Sequence, residues 1–125
     1  MKILWLCSWF PNKLDGFGGD FIERHAKSLS LHHQVDVIHI VQNHELSKNV
    51  PANAYVTDHA GLRVMIHVVA TVRFGFPALN KLVFNINYFL CLRRKIKKYI
   101  KEHGKPDIVH VHVPVKIGAG AIYLK

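Results

Sequence analysis

Residues 2–7 read Lys-Ile-Leu-Trp-Leu-Cys and residues 35–41 read Val-Asp-Val-Ile-His-Ile-Val, two short and predominantly apolar runs. Between them, from Asp20 onwards, apolar residues recur at helical spacing, and Asp20 is placed to be the N-cap of that helix. The order strand, loop, helix, strand predicts a right-handed parallel unit, because such crossovers are almost always right-handed. Strands this apolar are typical of a sheet that is covered on both faces.

Two further strands are expected in the middle of the chain. Residues 55–57 and 62–69 have the composition of strands and are separated by a turn at residues 59–61. This spacing predicts an antiparallel excursion that leads into a third core strand.

The last third of the chain predicts a long helix followed by a fourth core strand. The helix covers residues 79–103 and ends at Gly104, and the strand covers residues 107–113. Residues 117–125 begin another helix-like segment. The apolar face of the long helix is expected to contain Leu79, Leu82, Val83, Ile86, Phe89, Leu90, Ile96 and Ile100. We therefore expect an α/β fold, with a Rossmann-like, doubly wound and mainly parallel sheet and helices on both faces.

Composition sets the class of protein. The chain has 125 residues, of which 50% are hydrophobic and 20% charged, with 8 glycines and 5 prolines. These values exclude a disordered or collagen-like chain and fit one domain. Cys7 and Cys91 lie in separate apolar stretches, which favours buried thiols in a reducing, cytoplasmic compartment. No run approaches the roughly 20 apolar residues that a membrane-spanning helix requires.

Positive charge is in excess and is concentrated near residue 100. Seventeen Lys and Arg residues stand against eight Asp and Glu residues, a formal net charge of +9 that favours an anionic partner. The helix end carries a basic cluster formed by Arg93, Arg94, Lys97, Lys98 and Lys101. This cluster has three interpretations: a solvated helix end that complements the helix dipole, an anionic membrane surface, or nucleic acid. Tyr99 is the only aromatic residue within it, so no base-stacking platform is visible.

A glycine-rich loop precedes the first helix. Gly18 and Gly19 lie where free backbone amides and the helix dipole favour an anion. The alternative is a turn that requires a positive φ angle. The sequence lacks the spacing of a dinucleotide fingerprint and the Lys of a P-loop.

His110 and His112 lie on the same face of the predicted fourth strand. Such a pair suits a metal, but no carboxylate follows closely to complete a site, so no metal is expected. His112 lies at the carboxyl end of the strand, where ligands bind in doubly wound folds. His110, His39 and His67 are expected to pack within their strands.

Three segments, in order, resemble the N-terminal domain of retaining GT-B glycosyltransferases of glycosyltransferase family 4. They are the opening strand at residues 2–11, the glycine loop with its helix and second strand at residues 18–38, and the Pro-Asp-Ile-Val-His-Val-His segment at residues 106–112. The residues after His112 depart from the family pattern, in which a polar or acidic residue is common there.

The resemblance implies that residues 1–125 are the acceptor-side Rossmann-like domain, cut short at its C-terminal end, of a protein whose donor-binding domain is absent from this sequence. It implies that Gly18 and Gly19 approach the phosphates of a nucleotide sugar. His112 would orient the transferred sugar by a hydrogen bond rather than act as a nucleophile. The expected reaction needs no metal or other cofactor and uses a glycan or lipid-linked acceptor at the inner face of the cell membrane.

The resulting expectation is a glycosyltransferase fragment that is inactive alone, peripheral to the membrane, and able to self-associate through sheet surface left uncovered near Lys125. The alternative is a stand-alone basic module that binds nucleic acid; a third hypothesis is a metalloenzyme built on His110 and His112. Bound nucleic acid is not expected under the first hypothesis.

Overall fold

The computed structural model describes residues 1–13, 15–43, 55–59, 61–70, 74–114 and 116–124. Its elements are β1 (Lys2–Cys7), α1 (Asp20–Ser30), β2 (Gln34–Asn43), β3 (Tyr55–His59), β4 (Leu62–Ala70), α2 (Pro77–His103), β5 (Ile108–His112) and a 3₁₀ helix (Ile117–Leu124). Lys125, the last residue of the expected terminal segment, and Ala60, within the expected turn, lie outside the described residues.

The strands form one sheet in the order β3-β4-β2-β1-β5. The strands β4, β2, β1 and β5 are parallel, and β3 pairs with β4 in the antiparallel direction. The predicted doubly wound α/β fold is therefore confirmed, together with the antiparallel excursion before the third core strand.

Side-chain alternation along β1 divides the core into two layers. Ile3, Trp5 and Cys7 pack on the side of α1, where Ile22 and Ala26 cover them. Leu4 and Leu6 point to the opposite side. There they meet α2 and the first residue of the 3₁₀ helix, through Phe84, Tyr88, Leu92, Ile96, Tyr99 and Ile117. Helices therefore cover both faces of the sheet, as the apolar strands predict.

The buried face of α2 differs from the predicted one. Its buried residues are Phe84, Tyr88, Leu92, Ile96 and Tyr99. The side chains of Leu79, Leu82, Ile86 and Leu90 instead have 40%, 56%, 49% and 53% of their surface exposed. The helix carries two apolar stripes, and the aromatic one, which includes two tyrosines, fills the space above the sheet. The predicted face was correct for Ile96, which is buried, and for Phe89 and Ile100, which pack against the core. It was wrong for the four exposed aliphatic residues.

Glycines cap the C-terminal end of α2 and the N-terminal end of α1, and only the first of these caps was predicted. Gly104 caps α2 with a φ of 77°, and its amide donates to the carbonyl of Ile100 at 2.8 Å, as predicted. At α1 the N-cap is Gly19, with a φ of 82°, whereas Asp20 is the first helical residue. Asp20 instead forms an ion pair with Arg24 at 2.7 Å, one helical turn along α1. The assignment of Asp20 as N-cap was wrong because Gly19 adopts the left-handed conformation that brings the chain into the helix.

Candidate functional site

A cleft lies at the carboxyl ends of the parallel strands, where the strand order reverses. From β1 the chain passes through α1 to β2 on one side, whereas α2 carries it across the other face to β5, on the opposite side of β1. The chain leaves β1 towards α1 on one face of the sheet and leaves β5 towards the 3₁₀ helix on the other, and ligands bind at such a reversal in doubly wound folds. A cavity of about 550 Å³ is found there. Its polar lining residues are Ser8, Asn12, Asp15, His39, Tyr88 and Lys116, and its apolar ones are Trp9, Ile40, Val41, Phe84 and Val113.

Hydrogen bonds between the ends of β1 and β5 fix one side of this cleft. The Ser8 amide donates to the carbonyl of His112 at 3.2 Å, and the Ser8 hydroxyl donates to the carbonyl of Val113. Val113 has a φ of 54° and is the only non-glycine residue of the described chain with a positive φ. A β-branched residue in this region is strained, and such strain concentrates at functional sites.

His39 contributes a neutral imidazole to the cleft. It has 5% of its surface exposed, and its Nδ1 lies 2.8 Å from the carbonyl oxygen of Cys7. Because a carbonyl only accepts, Nδ1 carries the proton and the lone pair is on Nε2. Burial lowers the pKa of His39, and the bond to Cys7 opposes this only in part. His39 can therefore accept a hydrogen bond at neutral pH. From the sequence His39 was predicted only to pack within its strand. Its place in the cleft follows from the pairing of β2 with β1, in which His39 lies opposite Cys7, the last residue of β1.

Lys116 supplies the positive charge of the cleft. Its ammonium group lies 4.8 Å from the ring centroid of Phe84, a distance typical of a cation–π contact. It lies at the start of the 3₁₀ helix and is exposed. The sequence gives no signal for Lys116, because it is one lysine in a chain with 17 basic residues.

The glycine loop reaches this cleft through Asp15. The Asp15 carboxylate accepts hydrogen bonds from the amides of Phe17 at 3.0 Å and Gly18 at 2.9 Å, and these bonds lower its pKa. The Gly18 amide is thus already occupied by a carboxylate. Gly19 is buried, and a Cβ built on it would lie 2.8 Å from the carbonyl carbon of Trp9. Neither glycine lines the cleft.

His112 lines a different cavity, of about 450 Å³, on the α1 side of the sheet. Its ring stacks on that of His110, with centroids 4.1 Å apart, and contacts Trp5 at 4.2 Å. Burial is the main cause that lowers the pKa of His112 to about 4, and His110 and His25 add to it. Its buried Nε2 has no hydrogen-bond partner among the described residues. His112 and the glycine loop therefore do not share a cavity.

The five residues of the basic cluster are all exposed on the last turns of α2. Phe84 and Tyr88, which line the cleft, belong to the earlier turns of the same helix. The cluster is therefore separate from the cleft.

No group of three or more His, Cys, Asp or Glu side chains in the described part of the chain is placed to hold a metal ion. No helix in it is both long and apolar enough to cross a membrane.

Comparison with known proteins identifies no relative: no family model, no curated protein and no solved structure matches this chain.

Proposed function

We propose that residues 1–125 form the acceptor-side domain of a retaining glycosyltransferase, which moves a sugar from a nucleotide-sugar donor to a glycan or lipid-linked acceptor. The observation that carries this proposal is the cleft at the carboxyl ends of β1, β2 and β5. It has the size of a small-molecule site, and its lining combines apolar side chains with polar groups that can fix the orientation of a ligand. Donor binding falls mainly to a second domain under this proposal.

The side chains of the cleft suit a sugar that carries an anionic group. Trp9, with 56% of its surface exposed, offers a flat apolar face for a sugar ring. His39 accepts a hydrogen bond from a hydroxyl through Nε2, and the ammonium group of Lys116 attracts a phosphate. The covalent step is not assigned to any of these residues, whose proposed role is to bind and orient.

His112 lies outside this cleft, in the cavity on the α1 side of the sheet. Its proposed role at the reacting sugar rests on the family resemblance and on the open hydrogen-bonding position at Nε2, and it requires the transferred sugar to reach that second cavity. His39→Asn and His112→Asn separate the two histidines. If His112 orients the sugar, His112→Asn in the two-domain enzyme lowers kcat more than it raises KM, whereas His39→Asn acts mainly on KM. Equal effects of both variants on KM alone would contradict the assignment of His112.

Trp9 provides the test of the cleft because its indole lies at the mouth and is exposed. UDP-glucose, GDP-mannose and a mannose oligosaccharide are each titrated into the chain while tryptophan emission is recorded. We expect a saturable change with at least one of them. Lys116→Gln should weaken binding of a nucleotide sugar roughly tenfold, and Lys97→Gln, the same change on the exposed face of α2, should leave it unaltered.

Trp9→Phe should remove the emission change while calorimetry still detects binding. No saturable binding of any of the three ligands, or equal weakening by Lys116→Gln and Lys97→Gln, would contradict the proposed cleft. Robust sugar transfer by these 125 residues alone would instead contradict the assignment of the donor site to another domain.

We further propose that α2 rests on an anionic membrane surface at the inner face of the cell membrane. The exposed apolar stripe of α2, formed by Leu79, Leu82, Ile86 and Leu90, continues at three- or four-residue intervals into Arg94, Lys97 and Lys101. Residues with this spacing share one helix face. An exposed face with apolar residues followed by cations suits a membrane interface, whereas nucleic acid would leave the apolar residues unused.

Vesicle sedimentation tests the membrane proposal. We expect binding to vesicles that contain phosphatidylglycerol and little binding to pure phosphatidylcholine. Ile86→Ser should reduce it, and Leu31→Ser, at a residue with 75% of its surface exposed after α1, should not. Equal binding by both variants would contradict the proposal, and salt-sensitive binding to DNA in place of vesicles would favour the nucleic-acid alternative.

A further inference from the structure

A third cavity, of about 350 Å³, lies between β4 and the C-terminal half of α2. It shares no residue with the cleft at the carboxyl ends of the strands. We call it the basic pocket. Its polar lining is formed by Arg63, His67, Lys95, Lys98, Glu102 and His103. Three of these side chains are permanent cations and one is a carboxylate.

His67 marks an unused hydrogen-bonding position in the wall of the basic pocket. Only 8% of its surface is exposed, and its Nδ1 has no hydrogen-bond partner among the described residues. A buried polar group in this state is costly, and such groups are rare in native proteins unless a water or ligand serves them. Burial, the largest cause, and the nearby charges of Lys95 and Lys98 together lower the pKa of His67 to about 4. The electrostatic potential at His67 is therefore positive.

The guanidinium group of Arg63 is held in place at the base of the pocket. It lies 3.8 Å from the carboxylate of Asp36 and 3.1 Å from a ring nitrogen of His103. Asp36 has no exposed surface, so it fixes Arg63 from behind without entering the pocket lining. A guanidinium fixed in this way is pre-organised to donate to an oxyanion.

Lys95 and Lys98 approach the pocket from α2. Lys98 pairs with Glu102 at 3.7 Å, but 64% and 50% of these two side chains are exposed, so the pair is weak. Lys95 is half-buried. Within the described chain no carboxylate forms an ion pair with Lys95, which leaves its charge available inside the pocket.

We infer that the basic pocket binds the phosphate group of a small phosphorylated molecule, through Lys95, Lys98 and Arg63, with His67 completing the site. A phosphate offers several acceptor oxygens to these donors and a negative charge that offsets the lysines. The same chemistry is present in a soluble phosphate ester and in a phospholipid headgroup. This inference concerns a site distinct from the proposed sugar cleft and does not rest on it.

Inorganic phosphate is the first probe, titrated at constant ionic strength while nitrogen–proton NMR spectra of the chain are recorded. We expect saturable shifts of the His67 ring and of amides in residues 95–103. Lys95→Gln and Lys98→Gln should each weaken binding roughly tenfold. Lys97→Gln, the same substitution between them, should change it less than about twofold, and Lys95→Arg should retain binding.

Bound phosphate should also raise the pKa of His67. The charged and titratable groups that line the pocket with it are Arg63 on its own strand and Lys95, Lys98, Tyr99, Glu102 and His103 on α2. Among them only Glu102 is negative, so a bound dianion reverses the local balance of charge. Chloride at the same ionic strength should not produce this change.

Shifts that do not saturate, or equal weakening by Lys97→Gln and Lys98→Gln, would overturn the inference. Lys98 is exposed, so its variant tests the site even if Lys95→Gln destabilises the fold. A second titration compares glucose 6-phosphate with phosphatidylcholine vesicles that contain phosphatidic acid. Binding of the soluble ester that Lys98→Gln weakens and Lys97→Gln spares identifies a metabolite site. With vesicles the control is Lys27→Gln, at an exposed position on α1, because Lys97 lies on the proposed membrane face. Binding only to vesicles, weakened by Lys98→Gln and spared by Lys27→Gln, identifies a headgroup site.

Discussion

The hydroxyl of Tyr99 on α2 donates a 2.8 Å hydrogen bond to Oδ2 of Asp36, a carboxylate of β2 with no exposed surface. The other contact to that oxygen is a longer one from Gln34, at 3.4 Å. The second carboxylate oxygen, Oδ1, has no hydrogen-bond partner among the described residues, although Arg63 lies 3.8 Å from it. Tyr99 therefore provides the shortest bond to a fully buried charge, and it joins the long helix to the centre of the sheet.

Replacing Tyr99 with Phe should lower the free energy of unfolding by about 1–3 kcal/mol, because it leaves a buried carboxylate oxygen poorly satisfied. Urea denaturation measures the change. Tyr88→Phe is the matched control: it removes a hydroxyl from another buried tyrosine of α2, for which no bond to a carboxylate exists in the described chain. We expect a clearly smaller loss for the control. Equal losses would contradict a contribution of the Tyr99–Asp36 hydrogen bond to the free energy of unfolding.

Replacing Gly19 with Ala should destabilise the chain by at least about 2 kcal/mol. The new Cβ would lie 2.8 Å from the carbonyl carbon of Trp9, a backbone atom that cannot move aside easily, and the φ of 82° is unfavourable for alanine. Gly16→Ala in the same loop is the control, since nothing lies within 4 Å of a Cβ there. Thermal unfolding of the two variants should differ clearly, and similar melting temperatures would refute the tight approach to Trp9.

Much of the fold was predictable because the strands of this chain are nearly continuous apolar runs. β1 and β2 flank a helix of regular periodicity, and that pattern alone specifies a parallel unit. The buried face of α2 was not predictable from periodicity. Two apolar stripes run along that helix, and the tyrosine hydroxyls of Tyr88 and Tyr99 made the buried stripe look the more polar. Only packing against the sheet decides between them.

The candidate site was predictable in its place but not in its residues. The carboxyl ends of β1 and β5 were the expected location, and a cleft lies there. His39 and Lys116 were missed because their role depends on strand order, which brings residues 39 and 116 to the end of β1. A strand pattern does not reveal which strands are neighbours, nor which cavity a histidine such as His112 lines.

Val113→Gly should leave the stability of the chain nearly unchanged, whereas Val111→Gly, two residues earlier, should lower it. With a φ of 54°, Val113 is strained by about 1–2 kcal/mol, which glycine would relieve. Part of this gain is offset by the greater freedom of glycine in the unfolded chain, so the stability should stay within about 1 kcal/mol of the wild type. Val111→Gly removes a half-buried side chain of β5 that packs against the core on the α2 side of the sheet and should cost about 2 kcal/mol or more. A larger loss at Val113 than at Val111, measured by urea denaturation, would contradict the strain at the cleft.

The chain should lose stability as the pH falls from 6.5 towards 4, because the buried His39 and His67 and the half-buried His112 are neutral in the folded state. The pKa of His67 is lowered to about 4 from the 6.5 expected when unfolded, and that of His112 likewise to about 4. The unfolded chain therefore binds more protons in this range, and the stability that the neutral rings provide is complete only above pH 6.5. For His67, with 8% of its surface exposed, the loss between pH 7 and pH 5 is about 2 kcal/mol. Urea denaturation at both pH values, in buffers without phosphate, measures this loss of stability. His67→Gln should reduce the difference in stability between the two pH values. The control His32→Gln, at an exposed position, should leave that difference unchanged. A pH dependence identical in all three proteins would show that His67 titrates normally in the folded chain.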